Sequence, residues 1–164
     1  MPLTAVHRTA EFACASVEQT RWLREHAAQA QAAGSVRVFV VTEVDSEIVV
    51  AYYAWCMASL EPAHAPARLR KGGGRYQPVA LLARLGVDAR HERRGLGAGL
   101  LREVMVRVAL LSEQVGCRAL LVHAENESAR EFYLNLIPQF EPSPTDELHL
   151  VLLTKDIRRT LRAD

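Results

Sequence analysis

The sequence predicts a single α/β domain over residues 1–164, built on a central mixed, twisted β-sheet with helices packed on both faces. Three observations carry this expectation. Short β-rich apolar runs alternate with segments of helical periodicity. The turn signals between them are compact, and neither an internal repeat nor a second domain shows. The 164 residues, 49% hydrophobic and 24% charged, are enough to bury a core without disulfide or metal staples.

Taken in order, residues 16–33 read as a helix, with Trp22, Leu23 and several alanines interrupted by charges and a stop at Gly34-Ser35. Residues 36–44 and 47–57 are β-rich and are separated by Asp45-Ser46, the pattern of a hairpin. Residues 61–78 lose periodicity at Pro62, Pro66, Gly72-Gly73-Gly74 and Pro78, so they form a loop, with a short helix near residues 66–69. Residues 79–87 make the next strand. From Leu96 the apolar positions Leu100, Leu101, Val104, Met105, Val108, Leu111 and Val115 keep helical spacing, and Gly116 can end that helix in a left-handed cap. Residues 118–124 are a strand, residues 127–136 a helix with Asn126 as its N-cap, and residues 148–154 the last strand.

Composition narrows the setting. Met1-Pro2-Leu3 lacks the basic and apolar regions of a signal peptide. The longest apolar run, residues 48–60, is too short to span a bilayer as a helix. Cys14, Cys56 and Cys117 are odd in number, widely spaced and free of a C-x-x-C, as expected of reduced thiols in a cytoplasmic protein without a metal site. Net charge is only +1, but between residues 61 and 100 eight basic residues face three acidic ones. A local basic field of this kind suits a polyanion. Arg68, Arg70, Lys71, Arg75 and Arg90 are its candidate nucleic-acid contacts.

The densest motif is LARLGVDARHERRGLGAGLL, residues 82–101. An apolar strand runs into a glycine turn and then into an amphipathic helix. Gly95, Gly97 and Gly99 remove side chains where main-chain amides, those of Leu96 and Ala98 included, must approach a ligand. The helix start adds unpaired N–H groups and a positive dipole end. Arg93 and Arg94 put mobile positive charge beside this phosphate cradle. A P-loop would need Gly-Lys-Ser/Thr, yet Leu100 follows Gly99; a dinucleotide fingerprint would need G-x-G-x-x-G near the start of the domain. A glycine turn that merely begins a helix is the simpler alternative.

The turn resembles the pyrophosphate loop Q/R-x-x-G-x-G/A of the GCN5-related N-acetyltransferases (GNAT), with Gly95 and Gly97 at its glycine positions and Glu92 where Gln or Arg is usual. Further segments carry a narrower resemblance: LVHA at 121–124, AREFY at 129–133, FEPSPTD at 140–146, LHLVLL at 148–153, with Pro2-Leu3-Thr4 and Trp22-Leu23 near the start. Over nearly the whole chain these resemble the TacT-like branch, the tRNA-acetylating toxins of type II toxin–antitoxin systems. The turn NLIPQF, residues 135–140, departs from that branch by its length and its lack of glycine.

The resemblance implies the GNAT fold, with acetyl-CoA as acetyl donor and the α-amino group of aminoacyl-tRNA as acceptor, so that translation is blocked. It places pantetheine along the backbone of Leu85, Gly86 and Val87, and the pyrophosphate at Arg93, Arg94, Gly95, Leu96, Gly97 and Ala98. It makes Tyr133 the general acid for the CoA thiolate and Asn126 a secondary contact to CoA. A homodimer and a ribbon-helix-helix antitoxin partner are implied as well.

The residues add their own weight. A glycine inside a strand weakens it, so Gly86 marks either a bulge or a close backbone approach. A phenol with a reference pKa of about 10 holds its proton at neutral pH, although Ala129, Phe132 and Leu136 also mark an apolar face that Tyr133 could simply extend. No residue stands out as a general base, with Glu43 or a water chain left open. An α-amino group with a reference pKa near 8 supplies neutral nucleophile without one, unlike a lysine near 10.4. His123 is read as a buried, hydrogen-bonded core histidine. The competing functions are acetylation of a small-molecule or protein amine, and a non-catalytic CoA-binding or DNA-binding regulatory module.

Overall fold

The computed structural model describes residues 1–72 and 74–164, so Gly73 of the triple-glycine loop lies outside the described residues. Six strands form one mixed sheet in the order β1-β2-β3-β4-β6-β5. The contacts group into two compact units, Met1–Cys56 with Ala83–Leu101 and Met57–Leu82 with Arg102–Asp164.

In the first unit, α1 (Val17–Glu25) opens where the Ser16 hydroxyl accepts the Gln19 N–H at 3.1 Å. The single helix expected over residues 16–33 is in fact two. His26, at φ −122°, interrupts it before α2 (Ala27–Ala32), and no residue-type preference announces that break. The stop at Gly34 is as expected: Gly34 takes φ 79°, and the N–H groups of Gly34 and Ser35 donate to the carbonyls of Gln31 and Ala30. The hairpin pairs β1 (Arg37–Thr42) with β2 (Val49–Leu60) antiparallel, from Arg37 opposite Trp55 to Thr42 opposite Val49. Asp45 takes the positive φ that its turn needs. The core here gathers Leu3, Phe12, Leu23, Val38, Val40, Val49 and Tyr52. Tyr52 is held between Phe12, edge-on at 5.5 Å, and Trp22, stacked at 6.0 Å.

In the second unit, the short helix expected near residue 66 is α3 (Ala67–Arg70). Strand β3 (Gln77–Val87), of which residues 77–82 belong to this unit, runs parallel to β4 (Ala119–His123) from Val79 opposite Ala119. β4 pairs antiparallel with β6 (Asp146–Leu153). Ala119, Leu120, Leu121 and Val122 are all buried, so both faces of β4 are covered, as a central strand requires. On one face Leu60, Leu69, Val79, Leu121, Val151 and Leu153 pack together. Helix α5 (Glu127–Leu136) has the expected bounds, and the Asn126 side chain caps it by accepting the Ala129 N–H at 2.9 Å.

Helix α4 (Leu96–Leu111) ends earlier than its apolar spacing suggests. Residues 112–115 continue as turns, Val115 is 50% exposed, and Gly116 is not left-handed. The Ser112 hydroxyl donates back to the Ala109 carbonyl at 2.7 Å, which loosens that end of the helix. The sequence does not announce β5 (Glu141–Ser143), antiparallel to β6, or a C-terminal helix α6 (Thr154–Ala163). Among the described residues, no helix is long and apolar enough to cross a membrane.

Candidate active site

The glycine turn folds as a cradle must. Arg93 and Gly95 take φ 62° and 79°, which turns the chain back into α4. The first backbone bond of the helix runs from the Gly99 N–H to the Gly95 carbonyl at 2.9 Å. The amides of Leu96, Gly97 and Ala98 therefore lie off the helix start without an intrahelical acceptor. A Cβ built at Gly95 or at Gly99 meets nothing within 4 Å, so open space surrounds the turn. Arg93, Arg94 and Gly95 are exposed. First-turn amides, a helix dipole and exposed guanidinium groups in open space fit a diphosphate.

What fixes this turn was not read from the sequence. Asp88, 1% exposed, sits between β3 and the glycine loop. Its carboxylate accepts the Ala13 N–H at 3.0 Å, the Arg90 N–H at 2.9 Å and the Arg90 Nε at 2.9 Å. Its own N–H donates to the Val50 carbonyl at 2.8 Å. Burial alone would raise the Asp88 carboxyl; the hydrogen bonds from the Arg90 side chain and from the Ala13 and Arg90 amides prevail and hold it well below the usual carboxylate range. His91 adds a second link, its Nε2 standing 3.5 Å from the Glu43 carboxylate. Glu43, the carboxylate considered as a base, thus faces an imidazole. Arg90, expected to contact a nucleic acid, is a bidentate partner of Asp88 and remains exposed. An aspartate two residues ahead of a turn N–H was a legible cap pattern.

Gly86 has a packing cause that the sequence does not show. A Cβ there would stand 3.0 Å from Tyr52 Cε1, 3.3 Å from Phe12 Cζ and 3.5 Å from Cys14 Sγ. The residue is glycine because the aromatic core packs against its Cα. Leu85 and Val87 flank it, partly exposed on β3.

Tyr133 lies on α5 with its ring buried, edge-on to Phe132 at 5.2 Å and to Phe140 at 5.9 Å. Phe140 closes the altered 135–140 turn onto the tyrosine, so the missing glycine leaves an aromatic wall in place. Burial pushes the Tyr133 phenol up from its ordinary value, so at neutral pH it carries its proton. Such a group is a donor, not a base. His123 is no core histidine. It is exposed at the end of β4 and stacks on His149, with centroids 3.8 Å apart and planes 17° apart. Partial burial and the neighbouring His149 push its imidazole down against the opposing pull of Asp146. Among the described residues, no His/Cys/Asp/Glu group is placed to hold a metal ion.

The basic loop divides into two kinds of residue. Arg68 belongs to the fold: its Nη1 donates to Asp156 at 2.9 Å and to Glu141 at 2.8 Å, and its Nη2 reaches Asp156 at 3.3 Å. The hydrogen bond to Asp156, 3% exposed, is the chief reason its guanidinium is held more firmly protonated than usual. Any contact it makes to a nucleic-acid backbone would be made from within that network. Arg70, Lys71 and Arg75 are exposed, and Arg75 lies over the Tyr76 ring at 5.7 Å. Arg118, which the sequence reading passed over, pins the loop from beneath by donating to the Leu69 and Lys71 carbonyls and to Gln77.

Comparison with known proteins agrees with this geometry. The acetyltransferase (GNAT) family model matches residues 6–136. A protein of Mycobacterium tuberculosis named tRNA-acetylating toxin is 43% identical over 137 residues, covering 84% of this chain and 80% of the relative. The solved structure of AtaT complexed with acetyl-methionyl-tRNAfMet superposes with a TM-score of 0.89 at 27% identity, covering 98% of this chain and 97% of that one. A tyrosine-to-phenylalanine mutant of the AtaT toxin, bound to the C-terminus of the antitoxin AtaR and acetyl-CoA, gives a TM-score of 0.83 at 26% identity, covering 99% and 96%. The chain belongs to the GNAT acetyltransferase family.

Proposed function

We propose that this chain, a single acetyltransferase domain over residues 1–164, transfers the acetyl group of acetyl-CoA to the α-amino group of aminoacyl-tRNA and so blocks translation as the toxin of a toxin–antitoxin pair. The kinship with a protein named tRNA-acetylating toxin carries the reading of the substrate. The open start of α4 supports the donor site. The amides of Leu96, Gly97 and Ala98, with Arg93, Arg94 and Gly95, hold the pyrophosphate; the backbone of Leu85, Gly86 and Val87 holds pantetheine, and Asn126 lends a further contact.

Bound acetyl-CoA supplies an acyl group activated as a thioester. Transfer forms a bond from nitrogen to the acyl carbon and breaks the carbon–sulfur bond, so the amine loses a proton and the departing sulfur gains one. Tyr133 is the proton donor on the sulfur side, a part that suits a buried phenol still protonated at pH 7. An α-amino group with a reference pKa near 8 is partly neutral at that pH and attacks without a dedicated base.

The setting is the cytoplasm, where charged tRNA and acetyl-CoA meet. The active form is a homodimer: Val106 and Leu110, 37% and 55% exposed and one turn apart on α4, are apolar surface that a second copy would cover. The partner that silences it is a ribbon-helix-helix antitoxin. Acetyl-labelled acetyl-CoA, incubated with matched pools of charged and deacylated tRNA, tests this. Label is expected in acid-precipitable RNA from the charged pool alone. Label passing only to small amines or to protein would replace tRNA with those acceptors.

A further inference from the structure

Helix α6 was absent from the sequence reading, and its outer face carries charge that the fold does not neutralise. Lys155, Arg159 and Arg162 are spaced four and three residues apart, which puts them on one side of a helix over about 10 Å. All three are exposed, while Asp156 and Ile157 of the same helix are buried. Arg158 turns away to the Ser112 hydroxyl at 2.7 Å. Among the described residues, Lys155 and Arg162 form no ion pair. Arg159 reaches only Asp156, at 3.6 Å, a carboxylate already gripped by Arg68.

Two anchors bring this stripe to the basic loop. Arg68 on α3 ties that helix to Asp156 in the first turn of α6. Arg118 grips the Leu69 and Lys71 carbonyls with its side chain, at 2.5 and 3.1 Å, while its own carbonyl accepts the Thr154 N–H at 2.9 Å. The end of α3 and the start of α6 thus share one arginine as their floor. Arg70 and Lys71 at the end of α3 and Lys155 at the start of α6 are each within two residues of a group that Arg118 holds, and all three are exposed.

We propose that Lys155, Arg159 and Arg162 form, with Arg70 and Lys71, one phosphate-binding surface for the sugar–phosphate backbone of an RNA duplex, the body of the substrate rather than its reacting end. The inference rests on the tRNA reading above and adds to it a docking surface on α6. Flexible, solvated cations on a rigid base contact phosphates without reading sequence. Their contribution is sequence-independent and salt-dependent through counterion release.

The test uses the full chain with Lys155→Ala, Arg159→Ala and Arg162→Ala combined. Binding of total deacylated tRNA is measured across a KCl series, and acetylation is measured on charged tRNA and on a 3′-aminoacyl adenosine that lacks the tRNA body. The plot of log affinity against log salt should become shallower by about 2–3, from a slope of roughly −0.9 per phosphate contact. KM for charged tRNA should rise about tenfold or more, with kcat and aminoacyl-adenosine turnover unchanged. A slope and KM equal to those of the parent overturn the proposal, and so does a variant that loses only antitoxin binding. Should the triple variant melt early, Lys155→Gln with Arg162→Gln, whose side chains form no ion pair among the described residues, must still flatten the slope, or the proposal fails. Parent protein that acetylates charged tRNA while the variants keep its salt slope refutes the α6 surface alone; parent protein that acetylates no tRNA refutes the function beneath it.

Discussion

Replacing Asp88 with alanine should loosen the donor site from behind. The carboxylate holds two backbone N–H groups, those of Ala13 at 3.0 Å and Arg90 at 2.9 Å, where β3 passes into the glycine turn. A hydrogen bond to a charged acceptor contributes about 1.5–3 kcal/mol. Two of them sum to about 3–6 kcal/mol, from which water entering the vacated space recovers part. The expected loss is therefore about 2–4 kcal/mol. Urea unfolding followed by far-ultraviolet circular dichroism reads the stability, and calorimetric titration with acetyl-CoA reads the site. Affinity should fall at least several-fold, since the turn is anchored to its unit through Asp88. A loss below about 1 kcal/mol with unchanged acetyl-CoA affinity would refute the view that this carboxylate positions the cradle. The pH dependence has a definite sign. The folded-state pKa of Asp88 is depressed, so its stabilisation is whole above the unfolded value near 3.9 and is lost as pH falls below that toward the folded value. Asp88→Asn should flatten the acid limb of the stability profile below about pH 4.

Tyr133→Phe should keep the fold and the acetyl-CoA affinity while turnover drops about a hundred- to ten-thousand-fold; single-turnover acetylation within threefold of the parent would remove the tyrosine from the chemistry. Gly97→Asp places a carboxylate and a Cβ at the amides proposed to hold the pyrophosphate, so calorimetry should show acetyl-CoA binding abolished in a folded protein. Gly86→Ala drives a Cβ to 3.0 Å from Tyr52, which cannot yield freely because Trp22 stacks on it and its hydroxyl donates to the Gln19 carbonyl at 2.8 Å. Overpacking of this kind should cost about 1–3 kcal/mol in urea unfolding. Arg70→Ala, Lys71→Ala and Arg75→Ala together should weaken tRNA binding and flatten its salt dependence at unchanged acetyl-CoA affinity, whereas Arg68→Ala should instead lower the melting temperature.

What was legible in the sequence was whatever short-range chemistry encodes. Asn126 stands three residues before the N–H it caps, and α5 followed with its bounds intact. The glycine turn was readable because glycine at Gly95 is what a positive φ at a helix start demands. Long-range pairing was not readable. A count of charges made Arg68 a free cation, while its partner Asp156 lies 88 residues away. That Tyr52 and Phe12 also press on the Cα of Gly86 could not be read, because nothing local shows it. Helix α6 hid behind its charges: only Ile157 and Leu161 mark an apolar face, too few for a periodicity to show. Strand β5 is three residues long, contains Pro142, and owes its existence to pairing with β6.

The central claim concerns which nitrogen receives the acetyl group. Charged total tRNA is incubated with acetyl-CoA and the protein, then digested with nuclease, and the terminal adenosines are resolved by mass spectrometry. The account predicts aminoacyl adenosines heavier by one acetyl group on the α-amino nitrogen, formed by the parent protein and nearly absent with Tyr133→Phe. Aminoacyl adenosines that stay unmodified, while acetyl-CoA is consumed on small amines or lysines, would contradict it.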